Sequence, residues 1–167
     1  MAFFALESGS DNLEIASALG DVILSWGGAD SALTLLFASL ADLPVNKASR
    51  LYQKLPNFRS RIQAIYMLIN LHPEFSPVQP NVQRLSKLSK TRNLYVHGTF
   101  MHDPKNWSDI RLVDMDAPFS HERRVVPTKA HDIHAHAQTV RLASAQLRMT
   151  MRGLECYKEN IEDCEYD

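Results

Sequence analysis

The sequence predicts an all-α protein, an up-down bundle of four to five helices with a short β-hairpin or extended insertion before the last helix. Four stretches of the 167 residues carry apolar side chains at helical spacing. Only 6 glycines and 8 prolines are present, too few for a turn-rich sandwich or barrel. The length suits one domain over residues 1–167, with enough chain for a buried core.

The first predicted helix begins near Asp11, where Asp11 and Glu14 can form a capping box, and Pro44 stops it. Gly27 and Gly28 interrupt the helix, which predicts either a kink or the close approach of another backbone. One apolar stripe follows this helix: Leu19, Val22, Ile23, Trp26, Leu33, Leu36, Phe37 and Leu40.

Two further helical stretches follow, separated by a proline-rich loop. A short helix is predicted over 46–55, and Asn57 can cap a longer helix that ends near Pro73. After the loop, the third long helix is predicted over 81–97. Gly98 then stands where a C′ glycine is expected.

Residues 99–127 differ from the rest, because they hold three prolines and two β-like runs, 110–115 and 123–126. They predict an extended insertion that forms a hairpin. Thr128 is expected to cap the last helix, and residues 159–167 form an acidic tail. The core-facing seam of this helix steps by four and three: Ile133, Ala137, Val140, Ser144, Leu147, Met151 and Leu154.

The net charge of −1 conceals an uneven distribution. Residues 1–42 hold six acids and no Lys or Arg, whereas residues 43–102 hold nine bases and one acid. Residues 103–167 hold twelve acids and nine bases. The total excludes a strongly basic nucleic-acid arm and an acidic disordered tail over most of the chain, but the middle segment is basic.

The sequence predicts a cytoplasmic protein without a membrane-spanning segment. The longest uncharged apolar run of note, 31–41, is too short to cross a bilayer, and the first residues lack the positive charge of a signal peptide. Cys156 and Cys164 are too few and too far apart for a zinc site, so two free thiols are expected.

The residues that carry chemistry stand at the end of the third long helix, in the basic segment. Asn93 and His97 are i and i+4, so the amide can orient the imidazole by a hydrogen bond. Arg92 lies about 140° around the helix from His97. A guanidinium can hydrogen-bond to the oxygens of a phosphodiester. A histidine whose pKa is near neutrality can accept the proton of a ribose 2′-hydroxyl. These are the parts of a metal-free RNA-cleaving site.

The segment Arg92-Asn93-Leu94-Tyr95-Val96-His97 resembles the R-x(4–6)-H motif of the HEPN superfamily, with the polar residue that often follows the Arg. The place of the motif on a late helix of an α-bundle is also similar. Because the motif fixes only two or three residues, the helical context and the basic surroundings carry much of the resemblance.

The resemblance implies a function and a set of roles. It implies a homodimer in which two motifs meet, and a metal-independent endoribonuclease of a toxin or phage-defence type, with an antitoxin as a possible partner. Arg92 and His97 would be the catalytic pair and Asn93 the auxiliary residue, with a 2′,3′-cyclic phosphate as product. Two alternatives stay open, a non-catalytic HEPN-like module that binds RNA, a nucleotide or a partner protein, and a helical interaction scaffold.

Three bases precede the motif on the same helix. Arg84, Lys87 and Lys90 can follow an RNA backbone, or they can pair with the acidic first helix within the chain or across a dimer. The segment from His131 to His136 offers only pairs of ligands on one face of a helix, so no metal site and no cofactor are predicted.

Overall fold

The structure is a computed structural model that describes residues 10–103, 106–113 and 125–164. The described residues form five α-helices and one 3-10 helix, which confirms the prediction of an all-α bundle. The helices are α1 (Ser10–Leu40), α2 (Val45–Lys54), α3 (Phe58–Leu71), the 3-10 helix (Pro73–Val78), α4 (Gln79–His97) and α5 (Ala130–Cys164).

Two helices begin at residues whose side chains favour a helix start. Asn57 has an extended backbone, and its side chain accepts a hydrogen bond from the Ser60 backbone N–H at 2.9 Å, so its predicted capping role is confirmed. α4 begins two residues earlier than predicted. Pro80 lies in its first turn, where the missing backbone N–H would have no partner in any case.

The predicted hairpin is present and belongs to a three-stranded antiparallel sheet of order β1-β2-β3. Its strands are β1 (Thr99–Asp103), β2 (Asn106–Val113) and β3 (Val125–Pro127). Leu112 is opposite Phe100 on one side and Val126 on the other. The two β-like runs of the sequence correspond to parts of β2 and β3, whereas β1 was not predicted. Residues 114–124 lie outside the described part of the chain.

The described residues group into two compact units. The first comprises Met1–Trp26 and Ser89–Val140, as far as they are described. Its core joins α1 to β2 and α5, with Tyr95, Val96 and Phe100 packed against it. The buried members are Ile15, Ala18, Val22, Ile110, Ile133 and Ala137.

The second unit comprises the described residues of Gly27–Leu88 and Arg141–Asp167. Its core holds Leu33 and Leu36 of α1, Tyr52 of α2 and Ile65 of α3, all fully buried. Asp30 forms a 3.3 Å ion pair with Arg61, whose guanidinium lies 5.1 Å from the Tyr52 ring centroid. On α5 the predicted seam is buried as far as Met151, and Leu154 is half-buried.

Several details of α1 differ from the predictions. Ile23 is exposed, because it lies about 100° around the helix from the buried Val22. A Cβ built on Gly27 or Gly28 meets no atom within 4 Å, so no backbone approaches closely there. Leu13–Leu40 is long and apolar enough to cross a membrane by length and composition, although the sequence predicted no such segment, and 44% of the tested window is buried within the protein.

The predicted ends of α4 and α5 need three corrections. No glycine among the described residues has a positive φ, so Gly98 is not a left-handed C′ residue. α5 begins after Lys129 rather than after the predicted cap Thr128, and the Lys129 backbone N–H donates to Asp132 Oδ2 at 3.4 Å. Helix α5 continues to Cys164, so residues 159–164 of the predicted tail are helical. The Asp11 and cysteine side chains lie outside the described ones.

Candidate functional site

Helix α4 places the candidate residues on its last two turns, in the first unit. Lys90, Asn93 and His97 are spaced by three and four residues, so they form one stripe along the helix, about 10 Å long. All three are exposed. This exposed stripe is therefore a continuous polar surface that a ligand can reach.

Arg92 does not belong to the stripe by its position on the helix, but its side chain reaches it. The Nη1 atom of Arg92 donates a hydrogen bond to Asn93 Oδ1 at 3.1 Å. The guanidinium carbon also lies 5.9 Å from the ring centroid of Trp26 on α1. The half-buried arginine is thus held between a buried indole and an exposed amide, with its cationic end beside the stripe.

The hydrogen bond that was expected between Asn93 and His97 is not part of this arrangement. The amide oxygen of Asn93 instead accepts a hydrogen bond from Arg92. The exposed side chain of His97 forms no hydrogen bond or ion pair within the described part of the chain. The sequence therefore identified three residues that the structure brings to one end of α4, but it assigned the role of Asn93 to the wrong partner.

Gly98 explains why α4 ends beside the sheet. Its backbone N–H donates to the Leu94 carbonyl at 2.8 Å, which completes the last helical turn. A Cβ at this position would lie 2.5 Å from the Leu94 oxygen and 2.6 Å from Leu112 Cδ1. Only glycine lets the chain leave the helix so close to β2, directly after His97.

The three other predicted RNA-binding bases divide between the units. Lys90 lies in the first unit, and Arg84 and Lys87 lie in the second. Arg84 donates to Gln146 Oε1 at 2.8 Å, and neither Lys87 nor Lys90 forms an ion pair with a described residue. Pairing of these bases with α1 inside the chain, one of the two alternatives, is therefore not observed in the described residues.

The histidines of α5 have separate partners. His131 Nε2 lies 3.1 Å from Asp132 Oδ1, whereas His134 Nδ1 lies 2.8 Å from Asp21 Oδ2 on α1. His136 is buried, and its ring packs edge-on against Tyr95 with 5.4 Å between centroids. The described residues contain no group of three or more His, Cys, Asp or Glu side chains that could hold a metal ion.

Burial shifts the ionisation of the Tyr95–His136 pair. It lowers the pKa of His136, because a buried imidazolium loses hydration. It also raises the pKa of Tyr95, and the carboxylate of Asp132 acts in the same direction. Both side chains are therefore neutral near pH 7, and they form the apolar support behind the end of α4 rather than a second charged site.

Sequence reasoning missed two contacts of this region. Trp26 was assigned to the core, which it joins with 8% exposure, but it also holds Arg92. The Asp21–His134 pair joins residues far apart in the chain, and no spacing rule connects them. The Arg92–Trp26 contact joins two helices and exists only after they pack, so the sequence carries no local signal for it.

Comparison with protein-family models, with curated proteins and with solved structures finds no match for this chain. The likeness of the Arg92–His97 segment to the HEPN motif therefore stays a prediction that depends on its residues alone.

Proposed function

We propose that this chain is an HEPN-like, metal-independent endoribonuclease that acts as a homodimer on single-stranded RNA. The observation that carries the proposal is the 3.1 Å bond by which Asn93 holds Arg92 beside the stripe of Lys90 and His97. Sequence spacing alone puts Arg92 and His97 on different sides of the helix. The bond joins the guanidinium to Asn93, which shares the exposed stripe with His97.

The proposed reaction needs only groups present in these residues and in RNA. The ribose 2′-oxygen attacks the neighbouring phosphorus as its proton passes to a base, and the bond from phosphorus to the 5′-oxygen breaks as that oxygen gains a proton. The products are a 2′,3′-cyclic phosphate and a 5′-hydroxyl. His97 serves as general acid or base, and Arg92 stabilises the charge of the phosphorane.

The chemistry of the proposed reaction favours a dimer. Attack and departure occur on opposite sides of the phosphorus, so one proton-transferring group on each side is the efficient arrangement. One protomer offers a single His97 on an exposed helix end. A two-fold axis beside α4 would supply the second copy and a second Arg92. A cytoplasmic location and an antitoxin as partner belong to the same proposal.

The test is cleavage of a mixed single-stranded RNA pool in the presence of EDTA. We expect wild-type protein to give 2′,3′-cyclic phosphate ends, and His97→Ala to lower the rate by about 100-fold or more. Arg92→Lys keeps the charge but loses the planar fork, so it should also lower the rate. His131→Ala is the matched control, since His131 is an exposed histidine whose partner is its neighbour Asp132.

Equal cleavage by wild type and His97→Ala would contradict the proposal, as would a loss in the His131→Ala control of the same size. Each variant should be assayed in independent preparations, because the activity of a contaminating nuclease would not change with the substitutions. Analytical ultracentrifugation of the wild type would test the dimer independently of activity.

A second candidate function is RNA binding without cleavage. The observation in its favour is that the His97 side chain has no orienting hydrogen bond within the described residues, and that Asn93 Oδ1 accepts from Arg92. A general base works best when a partner fixes its tautomer and direction. Under this alternative the stripe binds phosphates, so Lys90→Ala and Arg92→Ala weaken RNA binding, whereas His97→Ala changes it little.

A further inference from the structure

The second unit contains a pocket of about 750 Å³ that shares no residue with the candidate ribonuclease site. One wall is the C-terminal half of α1, the other is α5, and the turn between α1 and α2 closes one end. Pockets of about 300–1,000 Å³ are typical of small-molecule sites. The size alone permits a ligand, and the lining indicates which kind.

Two arginines give the pocket its charge. Arg148 and Arg152 are i and i+4, so they are neighbours on α5, and Met151, at i+3 from Arg148, lines the pocket beside them. Met151 is buried at 7% exposure, whereas both arginines are exposed, so the arginines lie at the edge of the buried side of α5. The exposed arginines therefore stand at the mouth of the pocket, where a ligand can reach them.

Neither arginine is neutralised within the described residues. Arg148 Nη2 donates to the Gly28 carbonyl at 3.0 Å, which fixes its guanidinium but leaves its charge unpaired. The side chain of Arg152 forms no hydrogen bond or ion pair with a described residue. Two like charges at i and i+4 destabilise a helix slightly, so an anion bound between them would stabilise this turn of α5.

Asp42 sets the charge that such a ligand should carry. It lines the same pocket from the turn after α1, where its backbone has a φ of 50°, and it forms no ion pair with the arginines. Two positive charges and one negative charge leave a net charge of +1. A monoanion matches that balance better than a dianion such as a phosphate monoester.

The remaining walls are apolar and uncovered. Leu35 of α1 is 37% exposed and Val45 of α2 is 51% exposed, although both line the pocket. Apolar side chains along a cleft, with cationic groups at one edge, fit a molecule with an apolar body and an anionic end. A carboxylate accepts the parallel hydrogen bonds of a guanidinium.

We propose that this pocket binds a small organic monocarboxylate with an apolar body, such as a medium-chain acyl acid, with its carboxylate between Arg148 and Arg152. Decanoate is the probe, acetate supplies the charge without the chain, and octanol supplies the chain without the charge. The proposal requires both parts, so decanoate should bind far more tightly than either fragment.

The experiment is a titration of the full-length protein with each probe, followed by the methyl resonance of Met151 and by calorimetry. We expect decanoate to bind with a Kd below about 1 mM, and the double substitution Arg148→Gln and Arg152→Gln to weaken it at least about tenfold. Met67, which is 69% exposed and not part of the pocket, supplies a control resonance.

Two further variants make the result unambiguous. Arg50→Gln removes an exposed arginine elsewhere and should leave decanoate binding unchanged. Ser39→Phe adds bulk to an exposed position of the lining and should block decanoate without a loss of thermal stability. Absence of a saturable shift of Met151, equal affinity for octanol, or unchanged affinity in the double variant would each overturn the proposal.

Discussion

The guanidinium carbon of Arg92 lies 5.9 Å from the ring centroid of Trp26, a residue of another helix that is 8% exposed. A cation over an indole gains about 0.5–1 kcal/mol at an exposed site and about 2 kcal/mol when desolvated. Arg92 also donates to its neighbour Asn93. The arginine of the candidate site is thus positioned by a core residue as well as by a surface residue.

Replacement of Trp26 should therefore affect Arg92 directly. We expect Trp26→Leu to remove the ring-current shift of the Arg92 side-chain Nε–H resonance and Trp26→Phe to retain part of it. If the proposed activity holds, the loss of about 1 kcal/mol of interaction free energy that positions Arg92 should lower kcat/KM for RNA about fivefold in Trp26→Leu. An unchanged Arg92 resonance in Trp26→Leu would contradict the positioning role.

The parts of the fold that sequence reasoning predicted are those fixed by local chemistry. The spacing of apolar residues predicted the long helices. The capping role of Asn57 was predictable because Asn57 precedes a segment with apolar residues at helical spacing. The seam of α5 is buried from Ile133 to Met151, because a step of four and three tracks one side of a helix.

The parts that could not be predicted depend on partners distant in the chain. Strand β1 (Thr99–Asp103) has little β pattern of its own and is a strand because β2 pairs with it. The contacts of Arg92 with Trp26 and of Asp21 with His134 likewise exist only after the helices pack. In the candidate site, the residue types were predictable and the choice of Arg92 as the partner of Asn93 was not.

Gly98→Ala should destabilise the protein. The new methyl group would lie 2.5 Å from a backbone oxygen and 2.6 Å from Leu112, so the end of α4 or strand β2 must move. We expect a loss of about 1–3 kcal/mol in the free energy of unfolding, measured by urea denaturation.

Gly153→Ala is the matched control, because this glycine lies within α5, is exposed and has nothing within 4 Å of its Cβ position. It should raise the stability by up to about 1 kcal/mol, since alanine is the better helix former. Effects of equal sign in the two variants would show that close packing is not the reason for glycine at position 98.

The Asp30–Arg61 pair in the second unit should contribute only modestly. Its side chains are 32% and 23% exposed, and the two groups lie 3.3 Å apart. A double-mutant cycle with Asp30→Asn and Arg61→Gln should give a coupling of about 0.5–1 kcal/mol, and high salt should reduce it. Arg61→Gln alone should cost more than Asp30→Asn, because it also removes the cation over the Tyr52 ring. A coupling near zero would indicate that solvent already screens the pair.

The buried His136 should make folding sensitive to mild acid. Burial lowers its pKa, so below the ordinary value of 6.5 the unfolded chain takes up a proton that the folded chain resists. Stability should therefore fall as the pH drops through this range, until the pH passes the lowered pKa of the folded state. The Nε2 atom is also buried without a hydrogen-bond partner in the described part of the chain, which adds to the cost of this side chain.

His136→Phe should remove that dependence and keep the edge-on contact with Tyr95. We expect it to be at least as stable as the wild type at about pH 7.5, with an advantage that grows toward about pH 5.5 in urea denaturation. His131→Gln changes a histidine that is 74% exposed and should follow the wild-type pH profile. Parallel pH profiles of wild type and His136→Phe would show that another group takes up the proton on unfolding.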